Sequence, residues 1–275
     1  SFLLTAGLGI IPSHLYKDED INTASINLSP IGSGPFKFKE WFPDDRIVVE
    51  AFDDYYRGRP YLDRIIYKVV PDNTVLTEQL FIGEVDVTGI EFDQVERFKA
   101  ISDVEVYEYD VLSYGYLGYN LKNEFFKELN VRKAISHAID KEVIVDEVFL
   151  GFGEVANVPM PPTSWAYNPN IETPIYDIEF AKKILKETGF EDTDGNGIID
   201  KNGKEFSFTL MTNKGNKQRE KIAIIIKDRL NKIGIEVKIQ YLEWPTFVDK
   251  VSGKNFDAII LGWSLRIDPD SSSIW

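Results

Sequence analysis

Apolar and polar positions change their spacing part-way along the chain. Up to about residue 121 the apolar residues fall in short alternating runs rich in β-branched and aromatic side chains, with Gly, Pro and Asp between them. That is the pattern of half-buried strands. It predicts strands at 35–41, 46–52, 64–70, 85–88, 104–109 and 114–121, with helical spacing at 74–82 and 93–101. Beyond this the period lengthens. Val131, Ala134, Ile135, Ala138, Ile139, Val145, Val148 and Phe149 recur three and four apart, predicting one helix capped by Asn130 and ended at Gly151. A proline-punctuated loop over 153–174 follows, then a helix capped by Asp177 that runs to Thr188 and closes at Gly189. The remainder reads as strand 206–211, amphipathic helix 217–233 stopped at Gly234, strand 235–242, short helix 245–251 and a very apolar strand 258–261. Strand–helix–strand–helix–strand is the grammar of a sheet covered by helices, so the expected fold class is α/β.

Composition narrows the function. The 275 residues suit one large domain or two ordinary ones. With 45 acidic and 31 basic side chains the net charge is −14, which repels phosphate backbones and anionic lipid. Nucleic acid is not an expected partner. The charge is uneven: residues 1–118 carry 21 acidic and 10 basic groups, and residues 119–275 carry 24 and 21. This break suggests two units, 1–118 and 119–275. Cysteine is absent, which removes thiol nucleophiles, disulfides and sulfur-ligated metal sites. Only His14 and His137 remain, and neither has an acidic or nucleophilic partner placed for it. Gly151-Phe152-Gly153 has the letters of a dinucleotide loop but follows a helix and enters the proline-rich loop, so it is set aside. No apolar run approaches the roughly 18 residues of a membrane helix. The opening Ser1–Gly7 lacks a basic leader region and starts abruptly, as if the chain were cut inside a domain.

Three segments have chemistry to offer. Asp192, Asp194, Asn196 and Asp200 occupy positions one, three, five and nine of a calcium-loop pattern with Gly197 at six. Position twelve, which normally holds a bidentate Glu, is Gly203, and Glu205 comes two residues late. Calcium held by those four residues and a plain Asp/Gly turn both remain open. Tyr107, Tyr109, Tyr114, Tyr116 and Tyr119 place five of the 13 tyrosines in one stretch. Flat apolar faces with hydroxyl handles suit a cleft for varied ligands, and equally suit a half-buried sheet. Finally, the apolar strand at 258–261 runs into Gly262-Trp263-Ser264 and then Asp268-Pro269-Asp270. That puts polar groups at the carboxyl end of a sheet, where α/β proteins bind ligands, or else marks a strand leaving the core by an Asp-Pro turn.

Taken together these segments resemble a known series. Gly32-Ser33-Gly34-Pro35-Phe36 with Trp41, then Asp54-Tyr55-Tyr56-Arg57-Gly58-Arg59-Pro60-Tyr61-Leu62-Asp63, then Gly83-Glu84-Val85-Asp86 stand in order. Asn120-Leu121 and Asn130–Lys141 follow, then Glu243-Trp244, Phe256-Asp257-Ala258 and Gly262-Trp263-Ser264. The chain resembles the family 5 extracellular solute-binding proteins, the dipeptide-, oligopeptide- and nickel-binding receptors of ABC importers. The resemblance implies a periplasmic-binding-protein-like two-lobed fold (type II, cluster C-like), incomplete at both ends. Residues 1–118 would be part of lobe one, a mixed β-rich α/β unit, and 119–275 an incomplete lobe two. It implies a monomeric binding protein with no catalytic residues, located extracytoplasmically, either periplasmic or lipid-anchored at the outer face of the cell membrane. The implied partners are a peptide or peptide-like solute and the permease subunits in the membrane. No cofactor is required, with structural Ca2+ the open addition.

The expected ligand contacts are Tyr114, Tyr116, Trp263, Ser264, Arg266 and Asp268. One departure bears on the substrate. Peptide-binding members hold the free amine with an aspartate a few residues after the Gly-Trp pair, and here the ungapped position is Arg266, with Asp268 available only through a gap. A guanidinium does not bind an ammonium. The different-class alternative is a secreted, calcium-stabilised glycan hydrolase, for which the many carboxylates single out no particular pair.

Overall fold

The computed structural model describes residues 9, 11–17 and 19–270. The abrupt apolar start at Ser1–Gly7 therefore lies outside the described residues, and the two units below are described separately. By their internal contacts the residues divide between Val95 and Glu96.

The first unit holds an antiparallel sheet of β1 (Phe36–Phe42), β2 (Arg46–Ala51) and β3 (Arg64–Lys68), in that order. β1 pairs with β2 from Phe36 opposite Ala51 to Phe42 opposite Arg46, with an irregularity between Phe38 and Glu40. Pro35 precedes the ladder and only its carbonyl is used, accepting from Phe52 N–H at 2.9 Å, which is the role open to a residue without an N–H. Arg59 closes the β2–β3 loop by donating to both Asp53 and Asp63. Helix α1 (Asn73–Phe81) follows, capped by the Asp72 carboxylate accepting from Thr74 and Val75 N–H. The strand expected at 85–88 does not form. Glu84 and Val85 instead donate to the carbonyl of Gln79 and wrap the end of α1, leaving Val87 exposed. Helix α2 (Val95–Lys99) spans the division between the units.

The second unit contains β4 (Ser113–Tyr119), α3 (Leu129–Ala138), α4 (Lys141–Phe149), α5 (Ile178–Glu187), the hairpin β5 (Asp200–Lys201) and β6 (Lys204–Glu205), β7 (Ser207–Asn213), α6 (Lys217–Asn231), β8 (Glu236–Leu242), α7 (Trp244–Ser252) and β9 (Ala258–Ser264). The main sheet has the order β4-β9-β7-β8. β7 is parallel to both β8 and β9, as two helical crossovers require, while β4 runs antiparallel along β9. One face carries the larger core, in which Phe206, Phe208, Leu210, Ala258 and Ile260 pack with Val131, Ile135, Leu185, Ala223, Ile226 and Leu230 of the helices. On the other face Met211 and Ile259 pack with Phe247 of α7.

Two further expectations change. The single helix expected from Asn130 to Gly151 is two, because Ile139 is extended (φ −99°, ψ 116°) and Asp140 caps α4 through Val143 N–H. An Asp before an apolar run stops one helix and starts the next more strongly than the continuous spacing joins them. The strand expected at 104–109 is absent, and Tyr107 and Tyr109 are exposed. Strand propensity reflects packing on a neighbour, and no strand lies beside this segment among the described residues. β4 pairs along its length with β9, from Ser113 opposite Ser264 to Tyr119 opposite Ala258, and lies in the second unit.

The Asn120 and Asp257 motifs are structural pins. Asn120 Nδ2 donates to the carbonyls of Phe256 and Lys254 at 2.8 and 3.1 Å. Asp257 accepts from Asn123 Nδ2 at 2.9 Å and from Thr209 N–H at 3.0 Å. These bonds tie the end of β4 to the starts of β7 and β9, which sets the register of the opposite, carboxyl edge.

Candidate functional site at the carboxyl edge of the sheet

β7, β8 and β9 all point their carboxyl ends the same way, and the antiparallel β4 begins at that edge. Alternate residues of a strand share a face, and directly opposed residues of an antiparallel pair share it too. Tyr114 opposite Trp263 and Tyr116 opposite Leu261 are therefore neighbours on one face. Tyr114 and Tyr116 lie with ring centroids 6.1 Å apart and planes tilted by 50°. Tyr114 is buried, whereas Tyr116 and Trp263 are half-buried. The glycine pair Gly115–Gly262 sits between them on the other face.

Trp263 Nε1 is buried without a hydrogen bond of good geometry among the described residues. Its indole N–H is near enough to the Tyr116 hydroxyl to favour the phenolate, as does Arg219, but burial and the neighbouring Tyr114 outweigh both and push the Tyr116 hydroxyl above the ordinary phenol range. Arg219, in the first turn of α6, donates from Nη1 to Asn213 Oδ1 at 2.7 Å at the end of β7.

The remaining expected contacts are less gathered. Ser264 is exposed and, by alternation along β9, points to the face opposite Trp263. Leu265 N–H continues the ladder to the carbonyl of Leu112 at 2.6 Å, and Trp165 Nε1 donates to the carbonyl of Ile267 at 3.0 Å, holding the segment beyond the strand. Arg266 is exposed and forms no ion pair among the described residues. Asp268 accepts from Asp270 N–H at 3.1 Å in a local turn. Of the five tyrosines, Tyr119 is in the core against Phe126, and Tyr107 donates to Glu105 at the surface.

The possible calcium loop spends its oxygens internally. Asp192 accepts from Gly195 and Gly197 N–H at 2.8 and 2.9 Å, and Asp194 from Asn196 N–H at 3.1 Å. Asn196 donates to Glu205 at 2.7 Å, and Asp200 accepts from Thr193 Oγ1 at 2.6 Å and its N–H at 3.0 Å. Those two bonds hold the Asp200 carboxyl below the usual carboxylate range. Among the described residues no group of three or more His, Asp or Glu side chains converges as a metal site. The histidines are equally quiet: His14 lies in a short exposed turn, and His137 donates from Nδ1 to the carbonyl of Ile175 at 2.6 Å.

The family model of the bacterial extracellular solute-binding proteins, family 5 Middle, matches residues 1–275. The chain belongs to that family. Three relatives place it within the family 5 proteins. It is 44% identical over 274 residues to the oligopeptide-binding protein AppA of Bacillus subtilis (strain 168), covering 97% of this chain and 50% of the relative. The solved structure of that AppA in complex with a nonapeptide superposes with a TM-score of 0.81 at 43% identity, covering 97% of this chain and 54% of that one. The dipeptide-binding protein of Escherichia coli (strain K12) is 30% identical over 252 residues, 90% of this chain and 45% of the relative. The structure of NikZ from Campylobacter jejuni in complex with Ni(L-His) has a TM-score of 0.84 at 31% identity, covering 94% and 52%. The chain thus spans about half the length of the relatives it matches. These family 5 relatives are named for binding, and none supports the glycan hydrolase alternative.

Sequence reasoning missed Arg219. The available signal was its position: a cation in the first turn of a helix, where acidic residues are favoured.

Proposed function

We propose that this chain is part of a solute receptor of an ABC importer that binds oligopeptides or peptide-like solutes, and that it is not an enzyme. The observation that carries the reading is the aromatic wall of Tyr114, Tyr116 and Trp263 at the carboxyl edge of a sheet in a family 5 chain. Aromatic faces supply contact area without demanding one side chain, which suits ligands that vary in sequence. In this reading Tyr114, Tyr116, Trp263, Ser264, Arg266 and Asp268 are the ligand contacts, with Arg266 meeting an acidic group and Asp268 an amine.

In the same reading the chain before β4 supplies part of lobe one and the chain from β4 onward part of lobe two, and the lobes close on the ligand. A ligand touching both favours the closed state by the free energy of its extra contacts, and the closed form is what the permease recognises. The protein works outside the cytoplasm, periplasmic or lipid-anchored, and as a monomer. Among the described residues no helix is long and apolar enough to cross a membrane. Binding needs no cofactor, and structural Ca2+ at 192–200 is decided by chelation.

Mass spectrometry of small molecules released from the full-length protein after native purification tests the reading. Peptides in the released fraction support it; a released fraction without peptides, together with no retention of added peptides, overturns it.

A further inference from the structure

Two Asn-Gly pairs stand close together in the second unit, Asn196-Gly197 and Asn202-Gly203. An asparagine before glycine is chemically vulnerable, because glycine has no Cβ to hinder the approach of its nitrogen to the asparagine side chain. The two glycine nitrogens stand alike. Gly197 N–H donates to Asp192 Oδ2 at 2.9 Å, and Gly203 N–H is one of the donors that hold the Asp200 carboxyl in its charged form. Each therefore has a carboxylate placed to take its proton.

The asparagine side chains differ. Asn196 is fixed through both ends of its amide: Nδ2 donates to Asp194 at 3.1 Å and to Glu205 at 2.7 Å, and Oδ1 accepts from Ile198 N–H at 2.7 Å. Asn202 is exposed, and its side chain forms no hydrogen bond among the described residues. Asn202 and Gly203 make the two-residue turn of the β5–β6 hairpin, with φ of +56° and +71° and Lys201 opposite Lys204 beside them. Each strand of that hairpin is two residues long, so its tip opens at little cost.

We infer that Asn202 is a self-modification site, converted through a succinimide to aspartate and isoaspartate, and that the fold protects Asn196 from the same reaction. The Gly203 nitrogen, giving its proton to Asp200, attacks Asn202 Cγ. A C–N bond forms, the side-chain nitrogen takes up the proton, and it leaves as ammonia. Water then opens the ring. Attack at Cγ restores the main chain with an Asp side chain, and attack at the main-chain carbonyl leaves the chain running through Cγ. The net change is ammonia out and water in, with no oxidant or reductant. Isoaspartate adds a methylene to a turn of fixed length, and either product adds negative charge between Lys201 and Lys204, which pair with Glu128 and Glu124 ahead of α3. The inference is independent of the peptide-receptor reading.

The test incubates the full-length protein in mildly alkaline buffer, both native and in urea. A glutamate-specific protease then releases residues 192–205 as one peptide carrying both asparagines. Tandem mass spectrometry follows conversion at each position, and isoaspartyl methyltransferase labelling counts the isoaspartate. Asn202 should convert about tenfold faster than Asn196 in the native protein, and the two rates should converge in urea, where no fold holds either side chain. Asn202→Gln should remove the fast signal and leave Asn196 unchanged. A native rate ratio no larger than the ratio in urea overturns the inference. So does a native protein in which Asn202 stays unconverted while the urea sample reacts.

Discussion

Tyr114 of β4 and Trp263 of β9 stand directly opposite each other across an antiparallel ladder, so their rings share one face of the sheet at its carboxyl edge. A tryptophan anchor in such a wall contributes contact area that no small residue replaces. Trp263→Ala in the full-length protein should weaken peptide binding by roughly 30-fold, the equivalent of the ~2 kcal/mol typical of a buried aromatic anchor. Isothermal calorimetry checks this, and a loss of less than about threefold places Trp263 outside the site.

Arg266 is exposed and available to a ligand. Arg266→Glu should change which peptides co-purify, favouring basic over acidic ones, and not merely how much peptide is retained. An unchanged peptide profile in native mass spectrometry removes Arg266 from the contacts.

The loop over 192–200 is held by its own carboxylates. We expect EDTA and added Ca2+ each to leave the melting temperature unmoved, while Asp192→Ala lowers it by removing the two hydrogen bonds that close the turn. A Ca2+-dependent rise in melting temperature that Asp194→Ala abolishes would instead establish the metal site.

Asp200 gives that loop an acid limit. Its folded carboxyl titrates below the usual value because Thr193 donates to the charged form. Its contribution is therefore complete above the ordinary carboxylate pKa of about 4 and is lost as pH falls through the lower folded value. Wild type minus Asp200→Asn stability, followed by denaturant titration, should shrink across that acid window and stay flat from pH 5 to 8.

Gly234 tests the packing of the end of α6 against Ile199. Its φ is +79°, and an added Cβ would come within 2.7 Å of Ile199 Cγ2 and 3.3 Å of the Ile199 N. Gly234→Ala should cost about 1–3 kcal/mol in backbone strain and displaced core, seen as a fall of several degrees in melting temperature.

Legibility followed physical scale. The parallel segment from β7 to β9 was readable because β7 and β8 alternate apolar with polar residues, β9 opens on an apolar run, and α6 keeps one stripe for the core: Ala223, Ile226 and Leu230 recur at that spacing and are buried. The break at Ile139 was not, since its apolar side chain satisfies the helical period while its backbone does not. Val87 and Tyr107 had strand propensity with no edge to pair against among the described residues, which no local pattern reveals. At the site, Tyr114, Tyr116 and Trp263 followed from two-residue alternation and from where β9 ends. Arg219 was not legible, because its place comes from the approach of α6 to Gly262, residues far apart in sequence.

The central claim is that this chain carries part of a peptide-binding wall, and the most direct measurement is calorimetric titration of the full-length protein with mixed-sequence nonapeptides. The account predicts saturable binding in wild type that is weakened by Trp263→Ala. No heat and no retained peptide at micromolar protein concentration, or saturable binding indifferent to Trp263→Ala, would contradict it.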